Sequence, residues 1–246
     1  MSTSSDPLAT YPVAAPSVPP PVFTSQRWSE LTFLHWPVDP EAVAHLYPEG
    51  TRPDVFADGH TYVGLIPFAM RELAFVVPAA VPYFGDFLET NVRLYSTDDA
   101  GRHGVLFRSL ETERLAMVAL SRAMLGIPYT WARMRMHRNG NRVTYLGTRR
   151  WPDRGVASEI VVDVGAPVEP TPLETWLTAR WGAHTRKAGR TWWVPNEHAP
   201  WVFRAADVVR LDDDLVAAAG VTPVGEPLRA LYSEGTVARF GRPSLV

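Results

Sequence analysis

The chain has 246 residues, 46% of them hydrophobic and 20% charged, with a formal net charge of −2. That length can bury a large core, and the near balance of charge gives no general attraction to nucleic acid or to an anionic membrane. With no cysteine in the chain, disulfides, thiolate catalysis and cysteine-ligated metal sites are excluded.

Residues 1–22 are rich in Ser, Ala and Pro and lack apolar periodicity. They are expected to form a disordered or extended tail, free or draped over the rest of the chain. Leu31–Trp36 reads as a strand, and Asp39 caps a short helix with Pro40 at its first position. Val55–Ile66 reads as a hairpin turning at Asp58-Gly59, broken by Pro67, with a short strand at Met70–Phe75. Val77–Gly85 reads as a loop. A strand at Phe87–Tyr95 follows, then a turn through Asp98–Gly101 and a strand at His103–Arg108. Ser109 is placed to cap a helix that carries Glu111 and Glu113 near its start and stops at Gly126, before Pro128. Asn139-Gly140 predicts a two-residue hairpin turn that pairs Met136 with Val143 and Met134 with Tyr145, leaving Arg133, Arg135 and His137 on a solvated face. A strand is expected at Ala157–Val164. Thr171-Pro-Leu-Glu174 is a capping box opening a helix to about Trp181, stopped by Gly182. A hairpin over Ala183–Pro195 turns near Ala188-Gly189. Trp201–Leu211 is a strand, Asp212–Gly220 a short helix, and Leu228–Tyr232 and Thr236–Phe240 are closing strands.

These amount to roughly ten short strands and a few short helices, too irregular for a repeating strand–helix sheet. The expected fold class is mainly β, an antiparallel barrel or strongly bent sheet, with residues 23–246 forming a single domain. No apolar run is long enough to span a bilayer, and no basic region followed by an apolar stretch opens the chain. The expectation is a cytoplasmic protein with no membrane partner.

One strand stands out. In Phe87–Tyr95, Leu88, Thr90, Val92 and Leu94 form an ordinary core row, while Phe87, Glu89, Asn91, Arg93 and Tyr95 form the other. Three polar groups between two aromatics read either as a solvent face with a Glu–Arg pair or as the wall of a polar cavity.

Familiar signatures are absent: there is no nucleotide-binding glycine loop, no G-x-S-x-G elbow and no H-E-x-x-H helix. The seven histidines show no ligand spacing, so no metal and no cofactor are expected, and Asp212–Asp214 read as a helix cap. Lys187, the only lysine in the chain, sits at a hairpin tip, a poor place to lower the pKa of a Schiff-base amine. The bias toward arginine, with abundant Ala, Pro and Val, points to a high-GC bacterial genome rather than phosphate recognition. His35-Trp36 and His198-Ala-Pro-Trp201 read as packed aromatics or as pocket walls.

Taken together, Leu34-His-Trp36, Gly64-Leu-Ile-Pro-Phe68, Glu89-Thr-Asn-Val-Arg-Leu-Tyr95, Gly104-Val-Leu-Phe-Arg-Ser-Leu110, Ile127-Pro-Tyr129 and His198-Ala-Pro-Trp201 resemble an uncharacterised bacterial family, the YqjF-like proteins, over about Gln26–Phe240. More distantly, Tyr83–Ala132 is similar to the centre of acetoacetate decarboxylase. That resemblance implies a cone-like antiparallel barrel around a pocket. It places Glu89 on a pocket glutamate, Arg27 on a pocket arginine and Arg122 on a helix arginine. It also sets Tyr129 and Thr130 where the enzyme's two lysines stand, and Gly64 near a second pocket glutamate. Without those lysines the imine that drives the decarboxylation cannot form.

The sequence therefore leads to a barrel pocket for a small anionic or carbonyl-bearing molecule, with a lysine-independent reaction in view. Glu89 and Tyr129 would carry the chemistry, and Arg27, Asn91, Arg93, Arg122 and His35 would hold the ligand. The alternative is a non-enzymatic binding or interaction module, a homo-oligomer among its forms, with side chains filling the barrel.

Overall fold

A computed structural model describes Leu8, residues 11–75 and residues 85–246. The elements in order are β1 (Thr24–Val38), α1 (Pro40–Val43) with a 3-10 turn at Ala44–Leu46, β2 (Thr51–Pro53), β3 (Thr61–Phe75), β4 (Phe87–Asp98), β5 (His103–Thr112), α2 (Leu115–Leu125), β6 (Tyr129–Asn139), β7 (Arg142–Trp151), β8 (Ala157–Val168), α3 (Pro172–Thr178), β9 (Gly182–Lys187), β10 (Arg190–His198), β11 (Phe203–Asp213), α4 (Leu215–Ala218), β12 (Leu231–Phe240) and β13 (Ser244–Leu245).

These strands form one sheet, in the order β13-β10-β9-β5-β6-β7-β8-β11-β12-β1-β3-β4-β2. Extra pairings of β5 with β4 and of β10 with β12 close it on itself, giving the mainly β, barrel-like architecture expected. The pairing is antiparallel except for β5 with β6 and β5 with β9. The two closures make two rings. One runs β4-β5-β9-β10-β12-β1-β3. The other leaves β5 through β6, β7, β8 and β11 and returns to β12. The strands β12, β1, β3, β4 and β5 are therefore a shared wall, with one side-chain row facing each interior. Leu34, Val63, Leu65, Val92 and Leu94 of that wall pack against Val143, Tyr145, Ile160 and Val162 to fill the second interior.

Three β-bulges keep the same face turned inward along the long strands. The first interior receives Trp28 and then Leu31 and Phe33 from β1, Met70 and then Leu73 from β3, and Phe107 and then Leu110 from β5. Each series switches between even and odd numbers. Glu30 at φ 55° and Glu72 at φ 52° sit at the first two switches. The register of β4 with β5 shifts at the third. An extra residue bends a strand and raises its twist, which a closed ring of long strands requires.

Several expectations are corrected. The turn at Asp58-Gly59 exists, with Gly59 N donating to Phe56 O at 3.0 Å, but β2 pairs with β4 and not with β3. Pro67 does not break β3: it stays paired with Thr90 of β4 and lies opposite the irregular stretch of β1 between Ser29 and Leu34. Ser109 and Glu111 belong to β5, and α2 starts later with no side-chain cap at Arg114. Buried Glu111 instead binds Arg149, with Nη2 to Oε1 at 2.6 Å, and Glu113 accepts from Leu88 N at 3.0 Å. The β6–β7 turn falls on Gly140-Asn141, so Met136 faces Tyr145 and Arg138 faces Val143. This two-residue shift preserves the faces. The capping box of α3 forms as expected, but the helix ends at Thr178 and Gly182 opens β9. The two closing strands are one, β12. The loop expected at Val77–Gly85 lies mostly outside the described residues.

Residues 11–22 carry no helix or strand and lie against the body. Tyr11 Oη donates to Ala179 O at 2.8 Å, and Trp181 Nε1 donates to Pro12 O. Among the described residues, no helix is long and apolar enough to cross a membrane.

Candidate functional site

The first interior is incompletely filled and holds a cavity of about 170 Å³. Its walls come from β1, β3, β4, β5, β9 and β10, with α2 laid across the side. The central strand contributes Phe87, Glu89, Asn91 and Arg93, so the polar row of β4 faces the cavity and not solvent. Most of the remaining surface is apolar, including Phe33, Phe68, Phe107 and Val194.

Glu89 and Tyr129 meet in this wall. The Tyr129 hydroxyl donates to Glu89 Oε2 at 2.7 Å, and both residues are buried. Tyr129 reaches this place because Gly126 stops α2 in the left-handed region, at φ 67°. A Cβ on Gly126 would overlap the Arg186 carbonyl, so glycine alone suits this corner. Arg122 Nη1 then donates to Tyr129 O at 2.8 Å and fixes the backbone. Burial pushes the Glu89 carboxyl up to about 7, against the hydrogen bonds from Tyr129 and Asn91 that oppose the rise. Burial, and then the neighbouring Glu89, push the Tyr129 phenol well above its ordinary range. Near neutral pH Glu89 thus changes its charge while Tyr129 keeps its proton.

Farther along β4, Arg93 points into the cavity with a different environment. Its Nε donates to Tyr95 Oη at 3.3 Å, and its guanidinium stands 6.0 Å from the Phe33 ring centre. Among the described residues it has no carboxylate partner. Tyr95 passes the hydrogen bond on to His35 Nε2 at 2.7 Å. Burial, with Arg93 and Arg180 nearby, holds His35 well below the usual imidazole range, so the ring is neutral. The three groups converge because position 64 is glycine: a Cβ there would stand 3.1 Å from Tyr95 Oη and 3.2 Å from the His35 ring.

Of the residues singled out from sequence, the structure brings Glu89, Tyr129, Asn91 and Arg93 together in the cavity wall. His35 stands behind the wall, supporting Arg93 through Tyr95. Two do not reach the cavity. Arg27 is exposed and pairs with Glu72 at 3.3 Å, because its neighbours Gln26 and Trp28 take the inward positions of β1. Arg122 is also exposed, with its guanidinium 4.9 Å from the Trp151 ring centre, and acts on Tyr129 from outside.

Other lining groups went unnoticed in the sequence. Arg180 is buried on the link between α3 and β9, its side chain paired with Asp54. Its apolar setting, Trp176-Leu-Thr-Ala-Arg-Trp181, is the sequence signal that marks it. His198 and Trp201, read as pocket-wall candidates, do line the cavity. Trp28 joins them, stacked on Trp201 at 6.0 Å. His198 Nδ1 donates to Ala199 O at 2.7 Å, and burial lowers its pKa.

A second constellation looks catalytic and is not placed to act. Ser96 Oγ lies 2.8 Å from His184 Nδ1, and His184 Nε2 lies 3.0 Å from Asp98 Oδ2. Ser96 and Asp98 are 0% exposed and His184 1%, and none lines the cavity, so no substrate carbonyl can approach the serine. The chain locks β4 to β9 as a satisfied buried network.

Comparison with known proteins agrees with this architecture. The uncharacterised protein YqjF of Bacillus subtilis is 27% identical over 206 residues, which are 82% of this chain and 84% of that one. Acetoacetate decarboxylase from Legionella pneumophila superposes with a TM-score of 0.65 at 12% identity, covering 100% of this chain and 98% of that chain. The enduracididine biosynthesis enzyme MppR, solved in complex with pyruvate, gives 0.63 at 16% identity over 93% of this chain and 91% of that chain. The sequence pattern itself matches a family model across residues 25–237, and the chain belongs to that family, the uncharacterised conserved proteins DUF2071.

Proposed function

We propose that the cavity binds a small anionic or carbonyl-bearing molecule, and that Glu89, held by Tyr129, moves a proton on it without help from a lysine. The observation that carries this reading is a carboxyl raised to about 7 in the wall of a cavity that also receives the guanidinium of Arg93, which has no carboxylate partner among the described residues. A carboxyl in that range exists in both protonation states at neutral pH, as a general acid or base must. Lys187, the chain's one lysine, is not among the lining residues, so an imine is not the route. The fold likeness to an enzyme solved with pyruvate supports a keto acid as the class to try first.

On such a substrate the Glu89 carboxylate takes a proton from the carbon next to the carbonyl. The C–H electron pair moves toward the carbonyl oxygen, and Arg93 stabilises the resulting enolate charge. Return of the proton to carbon completes an exchange. The test is pyruvate in deuterated buffer with the full chain, followed by NMR. Loss of the methyl proton signal is expected to run faster than in buffer, to rise as pH passes about 7, and to vanish in Glu89→Gln. Pyruvate that binds but exchanges no faster than in buffer supports the non-enzymatic binding module instead.

A further inference from the structure

The geometry points to Arg180 as a second anchor beside Arg93, the two forming the acid-binding end of a pocket for small monocarboxylates with a compact apolar body. This rests on the reading of the cavity as a ligand pocket and deepens it. Arg180 is 4% exposed, and its cation cannot be relieved by losing a proton. Its guanidinium is packed 4.0 Å from the Trp176 ring centre, 4.7 Å from that of Tyr95 and 5.4 Å from that of Tyr11. Nε donates to Trp176 O at 2.9 Å and Nη1 donates to Asp54. Nη2 is buried with no hydrogen-bond partner among the described residues, although Arg180 lines the cavity. A buried charged donor left without an acceptor is costly, and a ligand oxygen arriving there recovers that cost.

The Arg93 and Arg180 guanidiniums stand 5.6 and 4.7 Å from the centre of the same ring, Tyr95. Arg93 uses Nε on the Tyr95 phenol, leaving its two terminal nitrogens to grip a carboxylate in parallel. Asn91 and Asn196 line the same cavity, each with a buried Oδ1 that has no partner among the described residues, and these can orient a hydroxyl or a protonated acid. The charge count sets the valence of the ligand. Among the described residues Arg180 is balanced by Asp54, Glu89 is neutral when protonated, and Arg93 is left as one unbalanced cation, so the pocket suits a monoanion over a dianion. The apolar walls, with Trp28, Phe33, Phe68 and Phe107 among them, suit a short hydrocarbon chain or a single ring for the rest of the molecule.

The experiment is calorimetric and thermal-shift titration of the full chain with benzoate and hexanoate, their neutral amides, and succinate. Both monocarboxylates are expected to raise Tm and to bind about tenfold or more tighter than their amides and than succinate. Arg93→Met is expected to weaken benzoate by about tenfold or more. So is Arg180→Lys, which keeps the charge opposite Asp54 but removes the planar donor. Because Arg180→Lys can perturb packing, Arg180→Met combined with Asp54→Asn removes the pair together and is expected to show the same loss. Amides binding as well as acids would overturn the arginine anchor while leaving the pocket in place. Full benzoate affinity in the folded Arg180 variants would overturn Arg180 alone, and tighter binding of succinate would overturn the monoanion assignment. Failure of every probe, acids and amides alike, would remove the ligand pocket itself and this inference with it.

Discussion

The Tyr129 hydroxyl donates to Glu89 Oε2 at 2.7 Å, joining two side chains 40 residues apart in sequence. Glu89 is the third residue of β4, and Tyr129 the first residue of β6. The pair thus ties the polar row of the wall to the corner after α2. Tyr129→Phe deletes the donor and leaves a buried carboxyl with one weak remaining contact, Asn91 Nδ2 at 3.5 Å. The expected cost is about 1–3 kcal/mol in urea unfolding. The Tyr129 bond opposes the rise of the Glu89 pKa, so its loss should raise that pKa further. A carboxyl-carbon NMR titration of Glu89 showing no upward movement would contradict the assignment.

Glu89 also predicts a pH limb of stability. Its carboxyl moves from an ordinary 4.5 in the unfolded chain to about 7 in the folded one. Between those values the folded state holds a proton that the unfolded state has lost, so stability falls as pH rises. The contribution is fully present below about 4.5, declines toward 7 and is level above it. The whole change is roughly 3 kcal/mol. Glu89→Gln, neutral throughout, should lack this limb. The measurement is the difference in unfolding free energy between wild type and Glu89→Gln at several pH values from 5 to 8. A flat difference would mean that Glu89 is solvated.

The buried ion pair of Arg149 and Glu111 belongs to the scaffold. The two side chains are 4% and 2% exposed, with nitrogen–oxygen distances of 2.6, 3.2 and 3.2 Å. Arg149→Met strands Glu111 in a dry site and is expected to cost about 3–5 kcal/mol. Adding Glu111→Gln should recover much of that, because the stranded charge is then gone. A double-mutant cycle by chemical denaturation that shows simple additivity would refute the coupling.

Gly126→Ala tests whether the corner before Tyr129 is held by backbone geometry. The residue has φ 67°, and the added Cβ meets backbone, the Arg186 carbonyl, which cannot rotate away. The expected loss is about 1–3 kcal/mol. The change should also weaken pyruvate or benzoate binding, because Tyr129 is displaced. Unchanged stability and binding would show that the corner tolerates the alternative conformation.

The candidate site was partly legible in the residues alone. Strand side chains alternate with a period of two, a local rule, so Glu89, Asn91 and Arg93 had to share a face wherever β4 lay. The Thr171 capping box and the hairpin turning at Ala188-Gly189 are equally local, and both formed as read. Where the signal depended on partners, the local reading slipped. Ser109 has the chemistry of a helix cap, yet it pairs within β5 because β4 offers it a ladder. Pro67 looks like a strand break, yet a bulge in β1 stands opposite it.

What the amino-acid order determined by itself was the alternation of each strand and the punctuation between strands. What only the tertiary structure decided was which face of each strand looks inward and what meets it there. Arg27 is one position away from an inward residue and so points out. Arg180 follows a helix by two residues and becomes a cavity wall because β9 and β10 close the ring onto β5 and β12. A ring closure brings together residues far apart in sequence, and no local pattern encodes which of two faces it will enclose. Glu89 titrates near 7 for the same reason: its pKa reflects the burial that closure creates.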